Sequence, residues 1–362
     1  MRKQIPMTTD NDFMRLALTE AKRGVGLTSP NPVVGAVIIS GGRVIGRGWH
    51  QAAGCPHAEI EAIAAVRGRR SLRDATLYVT LEPCSTTGRT PPCTIAIIDA
   101  GFARVVYGAT DPNPRHAGRA KALLLQAGVK VTTGVLAEEC EALNPAWNKW
   151  IATGLPFVTA KAGMSLDGRI APVPGSKWIT STKSRADAMR LRATCDAVLV
   201  GGGTIRADNP RLTLRGFPGA VNPLRVVWTK SGRLPKTSRI FADRFSDRTR
   251  IFVGVSLRKC LKSLAAEGVQ SVLIEGGGRV LGEAFDKGLV DRVVFYIAPV
   301  VIGGPVPAVG GRGAGSIEEG WRLQNPEFFQ VGPDLRVSGM VKRHKTAASS
   351  LFAWEGEAPA EP

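Results

Sequence analysis

Apolar positions in the first part of the chain follow a helical period and a strand period in turn. Residues 11–24 have their apolar side chains on one helical face. The runs 33–40 and 43–48 flank Gly41-Gly42, a two-residue turn signal that predicts a β-hairpin. The pattern then predicts helices at 58–66, 94–100 and 119–126 and strands at 75–81 and 104–108. Strand and helix alternate, which indicates an α/β domain with a mainly parallel sheet.

A change of composition separates this region from the next one. Residues 144–156 contain two prolines and show no clean period, which is typical of a linker, so we place a domain boundary near Thr153. The later pattern predicts a second α/β unit with strands at 157–162, 197–200, 224–228, 250–255, 272–275 and 293–297 and helices at 184–193, 257–266 and 280–286. From His344 onward the sequence is small, polar and rich in Pro and Glu. We therefore predict domains at 8–153 and 154–343 and a disordered tail at 344–362.

Composition and charge narrow the class of protein. The 362 residues, 44% of them apolar, suffice for two hydrophobic cores. A formal charge of +18 suits nucleic acid, an anionic membrane surface or phosphorylated small molecules. The opening residues lack the apolar core of a signal peptide, and the most apolar stretch, 293–302, is too short to span a bilayer. Six scattered cysteines then favour thiols over disulfides, and we expect a cytoplasmic protein.

One histidine and two cysteines of the first region have the spacing of a metal site. His57 stands at the start of a predicted helix, Cys84 follows a predicted strand, and Cys93 opens the next helix after eight intervening residues. Zinc takes four ligands, and a catalytic site leaves the fourth position to a water molecule whose pKa the metal lowers. Glu59 would stand beside that water and move its proton. This arrangement is typical of zinc nucleobase deaminases, whose two cysteines are separated by two residues rather than eight.

Other interpretations of these residues are open. A closed zinc knuckle would need a fourth protein ligand, and no later CxxC or His pair provides one; two buried free cysteines would need no metal. Cys55 could be a fourth ligand, but Gly54 and Pro56 beside it indicate a turn. His50 could bind a substrate at the pocket rim or be an ordinary surface histidine.

Two glycine loops mark the second region. Gly201-Gly-Gly-Thr204 and Glu275-Gly-Gly-Gly-Arg279 each follow an apolar strand, and the second leads into a predicted helix. Backbone amides at such a helix start suit a phosphate group. Neither loop is a GxGxxG followed by an acidic residue about twenty positions on, so the dinucleotide fingerprint is absent. Phosphate binding and tight turns without a ligand therefore both stay open.

Short segments in both regions carry a resemblance to a known family. In the first region they are Ser29-Pro-Asn-Pro-Val-Val-Gly35, Gly48-Trp-His50, His57-Ala-Glu59, Leu81-Glu-Pro-Cys84 with Cys93, and Asp111-Pro-Asn-Pro114. In the second they are Lys161-Ala-Gly-Met-Ser-Leu-Asp-Gly-Arg169, Ser176-Lys-Trp-Ile-Thr180, Thr204-Ile-Arg-Ala-Asp-Asn-Pro-Arg-Leu-Thr213, Glu275-Gly-Gly-Gly278 and Ala298-Pro-Val-Val-Ile-Gly-Gly304. Together they resemble the bifunctional riboflavin-biosynthesis deaminase-reductase, over about residues 8 to 343.

The resemblance implies a fold and a set of site residues. The fold would be an α/β protein with an N-terminal cytidine-deaminase-like α/β/α domain and a C-terminal dihydrofolate-reductase-like α/β domain. Zn²⁺ would be held by His57, Cys84 and Cys93, with Glu59 as the proton shuttle. The implied pyrimidine contacts are Asn31 and His50. The implied NADPH contacts are Met164, Trp178, Thr204, Asp208, Gly277, Gly278, Arg279, Val280, Leu281, Gly282 and Glu283. The implied substrate contacts of the reductase are Lys161, Ser176, Arg192, Leu212, Arg215 and Glu275.

Each of these residues also has a plainer interpretation, and two segments depart from the family. Trp178 could belong to a core, and Arg192 could lie on a solvated helix face. Ala120 stands where the family usually has a glycine, which bears on a loop conformation. Thr229-Lys230-Ser231 stands where the family usually has an Asp or Ser cofactor contact after a strand.

The resemblance implies two reactions in sequence. A diaminopyrimidinone ribosylamine 5′-phosphate would lose an amino group as ammonia, and NADPH would then reduce C1′ of the opened ribose. Two other hypotheses remain: a nucleic-acid deaminase, which the charge favours but the 6% aromatic content does not, and a deaminase whose second domain only binds or scaffolds. For the deaminase-reductase we expect a small phosphorylated substrate as partner, no binding of nucleic acid or membrane, and a homo-oligomer.

Overall fold

The structure is a computed structural model that describes residues 9–67, 71–87, 91–114, 116–170, 178–218 and 220–342. The chain divides into two compact units, with the first ending at Gly154 and the second beginning at Leu155. Ser176 and the tail predicted at 344–362 lie outside the described residues. Within the described ranges, none of the helices has both the length and the apolar character that a membrane span requires.

Helices and strands alternate through the first unit. Its helices are α1 (Asp10–Ala21), α2 (Ala58–Ala64), α3 (Cys93–Ala100), α4 (Arg119–Gln126), α5 (Ala137–Glu141) and α6 (Pro145–Thr153). Its strands are β1 (Gly35–Ser40), β2 (Arg43–Trp49), β3 (Thr76–Leu81), β4 (Arg104–Ala109) and β5 (Lys130–Thr133). A capping box starts α1, because Thr9 Oγ1 accepts from the amide of Asp12 and the Asp12 carboxylate accepts from the amide of Thr9.

The sheet of this unit has the order β2-β1-β3-β4-β5 and is mixed. The hairpin β1–β2 predicted around Gly41-Gly42 is confirmed. The sheet is less parallel than predicted, because β1 runs antiparallel to both of its neighbours and parallel pairing is confined to β3, β4 and β5. The reason is the hairpin: β2 returns along β1, α2 carries the chain across the sheet, and β3 enters in the direction of β2.

The segment predicted as a linker is a helix. Pro145 occupies the first turn of α6, where a missing N–H costs no hydrogen bond, and Gly154 ends the helix in the left-handed conformation. Trp147, Trp150 and Ile151 repeat at three and four residues and are buried. The two prolines therefore mark the ends of a packed element rather than a flexible connection.

The second unit contains one large sheet with helices between its strands. Its helices are α7 (Thr182–Ala193), α8 (Gly202–Asp208), α9 (Arg239–Ala242), α10 (Leu257–Ala266) and α11 (Gly278–Asp286). Its strands are β6 (Phe157–Ser165), β7 (Ala197–Gly201), β8 (Leu224–Thr229), β9 (Thr249–Val253), β10 (Ser271–Ile274), β11 (Arg292–Ala298), β12 (Arg322–Val331) and β13 (Asp334–Lys342). The sequence pattern did not predict α8, α9, β12 or β13.

The eight strands have the order β12-β13-β11-β6-β10-β7-β8-β9. From β11 to β9 all neighbours are parallel, and β13 joins β11 in the antiparallel direction. Because β6, β10, β7 and β8 are adjacent and parallel, the residues that follow them lie along one edge of the sheet. In α/β sheets that carboxyl edge is where ligands bind.

Candidate active sites

Three side chains converge in the first unit as the sequence predicts. His57 is the N-cap of α2, Cys84 follows β3, and Cys93 is the first residue of α3. One ligand atom from each lies within 4.8 Å of the other two. His57 Nδ1 is 3.2 Å from Cys93 Sγ and 3.6 Å from Cys84 Sγ. Two helix starts and one strand end therefore place an imidazole nitrogen and two sulfurs around a common point.

This donor set fits zinc. With Zn–N near 2.1 Å and Zn–S near 2.3 Å, a tetrahedral centre separates nitrogen and sulfur by about 3.6 Å. The measured separations of 3.2 and 3.6 Å are close to that value. Cys55 does not join the group, and its amide donates to the carbonyl of Ala52 in a turn. Three protein ligands leave a fourth position, as a catalytic centre requires.

The charges of the site are set by burial and by the two thiols. A hydrogen bond with Cys93 lowers the pKa of the Cys84 thiol to about 4. The amide of Cys93 also donates to Cys84 Sγ over 3.2 Å. Glu59 is only 3% exposed and hydrogen-bonds the Cys93 side chain, and burial raises the pKa of its carboxyl group. A thiolate and a carboxyl group able to carry a proton thus lie in the same cluster.

His50 and Asn31 meet at the same place. His50 is 2% exposed, so the plain surface interpretation is excluded, and its ring lies 5.4 Å from that of His57. Burial lowers the pKa of His50, which favours the neutral ring. His50 Nδ1 then donates to the Pro56 carbonyl and Nε2 accepts from the Asn31 amide, each over 3.0 Å. Both ring nitrogens are committed, so His50 holds Asn31 rather than a metal.

Sequence reasoning missed the buried carboxylate of Glu82. It is 4% exposed and accepts from the amides of Asp111, Gly118 and Ala120 over 3.3, 3.0 and 3.1 Å. It thereby ties the loop after β4 and the start of α4 to the strand end that carries Cys84. Ala120 lies in α4 with a buried side chain, so this departure from the family disturbs no loop. In the sequence, the signal available for Glu82 was its position in Leu81-Glu-Pro-Cys84, two residues before Cys84.

In the second unit a buried ion pair lies at the carboxyl edge of the sheet. Arg192 of α7 donates to both carboxylate oxygens of Glu275 over 2.8 and 2.9 Å and to the carbonyl of Thr213 over 2.8 Å. Lys161 Nζ lies 3.8 Å from the same carboxylate. Burial opposes ionisation, but the charges of Arg192 and Lys161 lower the pKa of Glu275 below its usual value. A solvated helix face for Arg192 is therefore excluded.

The loop after β10 leads into α11 as predicted. Gly277 precedes the helix with a positive φ of 79° and supplies no side-chain cap. A Cβ at Gly278 would collide with the carbonyl oxygen of Pro307, which explains the glycine there. The side chains of Val280 and Leu281 are buried in the core, and Gly282 packs against Gly310. Within the predicted run 277–283, only Arg279 has an exposed side chain, while Glu283 is half-buried.

The remaining predicted contacts belong to several elements and loops of the second unit. Thr204 lies in α8, and its Oγ1 would be 3.3 Å from a Cβ on Gly277. Met164 is in β6, and Asp208 ends α8. Trp178 is 52% exposed under the Arg185 guanidinium, so it does not belong to the core. Leu212 is buried at a positive φ of 55°, and Arg215 is exposed.

Comparison with known proteins agrees with this arrangement. The family described as the cytidine and deoxycytidylate deaminase zinc-binding region matches residues 7–109, and the RibD C-terminal domain matches residues 156–337. The riboflavin biosynthesis protein RibD of Bacillus amyloliquefaciens is 38% identical over 92% of this chain and 96% of its own. That of Synechocystis is 40% identical over 92% and 97%.

Solved structures show the same likeness. Acinetobacter baumannii RibD has a TM-score of 0.85 at 33% identity, over 92% of this chain and 99% of that one. A Thermotoga maritima diaminohydroxyphosphoribosylaminopyrimidine deaminase/5-amino-6-(5-phosphoribosylamino)uracil reductase has a TM-score of 0.81 at 35% identity, over 92% and 98%.

A zinc-binding deaminase domain followed by a reductase domain defines a bifunctional deaminase-reductase. The chain belongs to the RibD family of riboflavin biosynthesis proteins. Its fold class is that of the family, cytidine-deaminase-like in the first unit and reductase-like in the second. The nucleic-acid deaminase hypothesis is not favoured.

Proposed function

We propose that the deaminase depends on zinc held by His57, Cys84 and Cys93, and that the reductase depends on NADPH. The substrate is 2,5-diamino-6-ribosylamino-4(3H)-pyrimidinone 5′-phosphate and the final product is 5-amino-6-(5-phosphoribitylamino)uracil. The observation that carries the proposal is the convergence of three ligand atoms within 4.8 Å beside the buried Glu59. We assign deamination to residues 8–153 and reduction to 154–343.

In the deaminase site, zinc supplies Lewis acidity that makes a water molecule a nucleophile near neutral pH. Glu59 accepts a proton from that water as it adds to the amino-bearing ring carbon. Glu59 then delivers protons to the ring nitrogen and to the departing amino group, which leaves as ammonia. Asn31 hydrogen-bonds the pyrimidine, and His50 orients Asn31 through the 3.0 Å contact between them. Burial of Glu59 supports this role, because burial raises the pKa of its carboxyl group and so makes the carboxylate a stronger proton acceptor.

In the reductase site, NADPH supplies a hydride to C1′ of the opened ribose. Glu275 and Lys161 hydrogen-bond the sugar, and Arg192 holds Glu275 in place through two of its N–H groups. Arg215, which is exposed, binds the substrate phosphate. The cofactor is contacted by the amides that start α11 and by a set of side chains: Met164, Trp178, Thr204, Asp208, Arg279 and Glu283. Ser176 and Leu212 complete the substrate site.

Glu59→Gln tests the deaminase assignment. The variant should bind one zinc per chain, measured by elemental analysis, because Glu59 is not a ligand. Ammonia release should fall at least 100-fold, since general acid–base catalysis contributes on that order, while reduction of the deaminated substrate persists. Glu61→Gln, also in the first turn of α2, is the matched control and should keep both activities. Deamination that survived in Glu59→Gln would contradict the assigned proton carrier. Cytoplasmic location and homo-oligomer formation stay predictions.

A further inference from the structure

The loop at residues 28–34 carries Asn31 into the deaminase site and contains two prolines. Pro30 and Pro32 have no backbone N–H, so this loop, called here the Asn31 loop, cannot pair with a neighbour as a regular strand does. Val33, near its end, is buried, and its N–H and C=O groups therefore need partners within the protein. The partners of Val33 thus help to decide how firmly Asn31 is held.

One side chain, that of Asn144, binds both backbone groups of Val33. The Val33 amide donates to Asn144 Oδ1 over 2.6 Å, and Asn144 Nδ2 donates to the Val33 carbonyl over 2.8 Å. Asn144 is 6% exposed and stands 111 positions further along the chain, at the start of α6. Its carboxamide offers one donor and one acceptor, as the peptide group of a neighbouring strand would. We call this pair of hydrogen bonds the Val33 clamp.

The clamp is not the ordinary use of an asparagine at this position. Asn144 is the N-cap of α6, where an asparagine side chain commonly accepts a hydrogen bond from an amide of the first turn. In the described part of the chain its side chain caps no amide of α6. The two hydrogen bonds of the carboxamide go instead to the distant Asn31 loop, so the helix does not depend on them.

Two further contacts hold the same stretch of chain. His50 Nε2 accepts from the side-chain amide of Asn31 over 3.0 Å. Thr80, which is 1% exposed, accepts from the amide of Gly35 over 3.2 Å and fixes the start of β1. The Val33 clamp acts on the backbone between these two points, only two positions from Asn31. A shift of Val33 therefore moves the Asn31 backbone relative to His50 and to the metal ligands.

We propose that Asn144 is a positioning residue of the deaminase, which fixes Asn31 for contact with the pyrimidine by holding Val33. The inference rests on the pyrimidine contact proposed above for Asn31. Without the clamp the Asn31 loop adopts other conformations, and the orientation of Asn31 that binds the pyrimidine is populated for a smaller fraction of the time. Substrate binding weakens by that fraction. The KM for the pyrimidine then rises more than kcat falls.

A double-mutant cycle on the full chain separates positioning from a merely structural role. In Asn144→Ala, the KM for ammonia release should rise about tenfold, because two hydrogen bonds to buried backbone groups are lost, while kcat changes less than about threefold. Asn31→Ala should raise KM at least as much. Adding Asn144→Ala to Asn31→Ala should raise KM less than about twofold further, because no Asn31 side chain remains to be positioned.

The matched control is Asn148→Ala, on the same helix. It removes a hydrogen bond of 3.0 Å from a side-chain amide to the carbonyl of Glu141 and should leave KM unchanged. Zinc content and reduction of the deaminated substrate, both unchanged, verify that each variant is folded. Asn144→Asp has the same size but, when ionised, cannot donate to the Val33 carbonyl, so it carries the cycle if Asn144→Ala fails that check.

Hydrogen exchange gives a readout that needs no substrate. The Asn31 amide donates to the carbonyl of Thr28 over 2.8 Å within the loop. Its protection should fall about tenfold in Asn144→Ala and at least about threefold in Asn144→Asp, and it should be retained in Asn148→Ala.

The outcomes separate this inference from the proposed deamination. Unchanged protection of the Asn31 amide in both Asn144 variants, or effects of Asn31→Ala and Asn144→Ala on KM that simply multiply, would overturn the inference. If the wild-type chain released no ammonia but the Asn144 variants lost the protection, the proposed deamination would be wrong, whereas the control of Asn31 by Asn144 would stand.

Discussion

Breaking the buried ion pair between Arg192 and Glu275 should destabilise the second unit in a pH-dependent way. Both side chains are less than 10% exposed, and two hydrogen bonds of 2.8 and 2.9 Å join them. Removing one partner of such a pair leaves a buried charge and costs about 3 to 5 kcal/mol. Lys161 stays 3.8 Å from Glu275 in Arg192→Met, so we expect the lower end, about 3 kcal/mol.

The sign of the pH dependence follows from Glu275. Burial raises its pKa, and the charges of Arg192 and Lys161 more than offset that effect, so the folded-state pKa lies below the usual 4.5. The pair therefore stabilises the folded unit above pH 4.5, and this contribution is lost as the pH falls through the folded-state pKa. In Arg192→Met burial is no longer offset by the arginine and the pKa of Glu275 rises. The loss of unfolding free energy in the variant should thus be largest near pH 7. It should shrink toward pH 4.5, because Glu275 of the variant takes up a proton as the pH falls.

Native-state hydrogen exchange of the amides in β7 measures the free energy of opening of the second unit. Arg190→Met on the same helix is the matched control, because its ion pair with Asp187 is 73% exposed on the arginine side and should contribute less than about 1 kcal/mol. The double variant Arg192→Met with Glu275→Gln should recover part of the loss, since no buried charge remains. A loss of less than about 1 kcal/mol in Arg192→Met, or a loss independent of pH, would contradict a stabilising buried ion pair between Arg192 and Glu275.

Two further substitutions have expected outcomes. Cys84→Ser should lose zinc and ammonia release while reduction persists, whereas Cys260→Ser, at a buried thiol of α10, should keep both activities; zinc retained in Cys84→Ser would remove it from the ligand set. Gly278→Ala should destabilise the second unit by about 1 to 3 kcal/mol in hydrogen exchange, because its methyl group meets the Pro307 carbonyl, whereas Gly203→Ala has open space and should be neutral or stabilising. Equal effects of the two alanines would contradict the packing.

Much of the fold was predictable because local patterns decide it. The hairpin at Gly41-Gly42 and the helix after the Glu275 loop depend on residues close together in the chain. The directions of the strands in the first sheet were not predictable from local patterns, since they depend on how α2 returns the chain to the sheet. The helix α6 was missed because prolines at its two ends were interpreted as linker residues, although Trp147, Trp150 and Ile151 had the helical spacing. β12 was missed because it is an edge strand with little burial and no alternation.

Some features of the two candidate sites were likewise predictable from the sequence, and others were not. The convergence of His57, Cys84 and Cys93 was predictable, because metal-ligand chemistry restricts such a site to a few residue types and the spacing of these residues places them at the ends of elements. The ion pair between Arg192 and Glu275 was not predictable, because the two residues are 83 positions apart and only the order of the strands brings them together.

The resemblance implies cofactor contacts at Val280 and Leu281, and because their side chains are buried in the core, only their backbone groups are left for such contacts. The role of Glu82 was not predictable, because the amides that donate to its carboxylate belong to residues 29 to 38 positions further along the chain and only the fold brings them there.

The two reactions are tested together by supplying the diaminopyrimidinone ribosylamine phosphate to the purified protein and following ammonia release and NADPH oxidation separately. We expect both signals. Ammonia release should be abolished when a chelator strips zinc and restored when zinc is returned, while reduction of the deaminated substrate should be unaffected by the chelator. Ammonia release that survives removal of zinc, or the absence of NADPH oxidation with the deaminated substrate, would contradict this expectation.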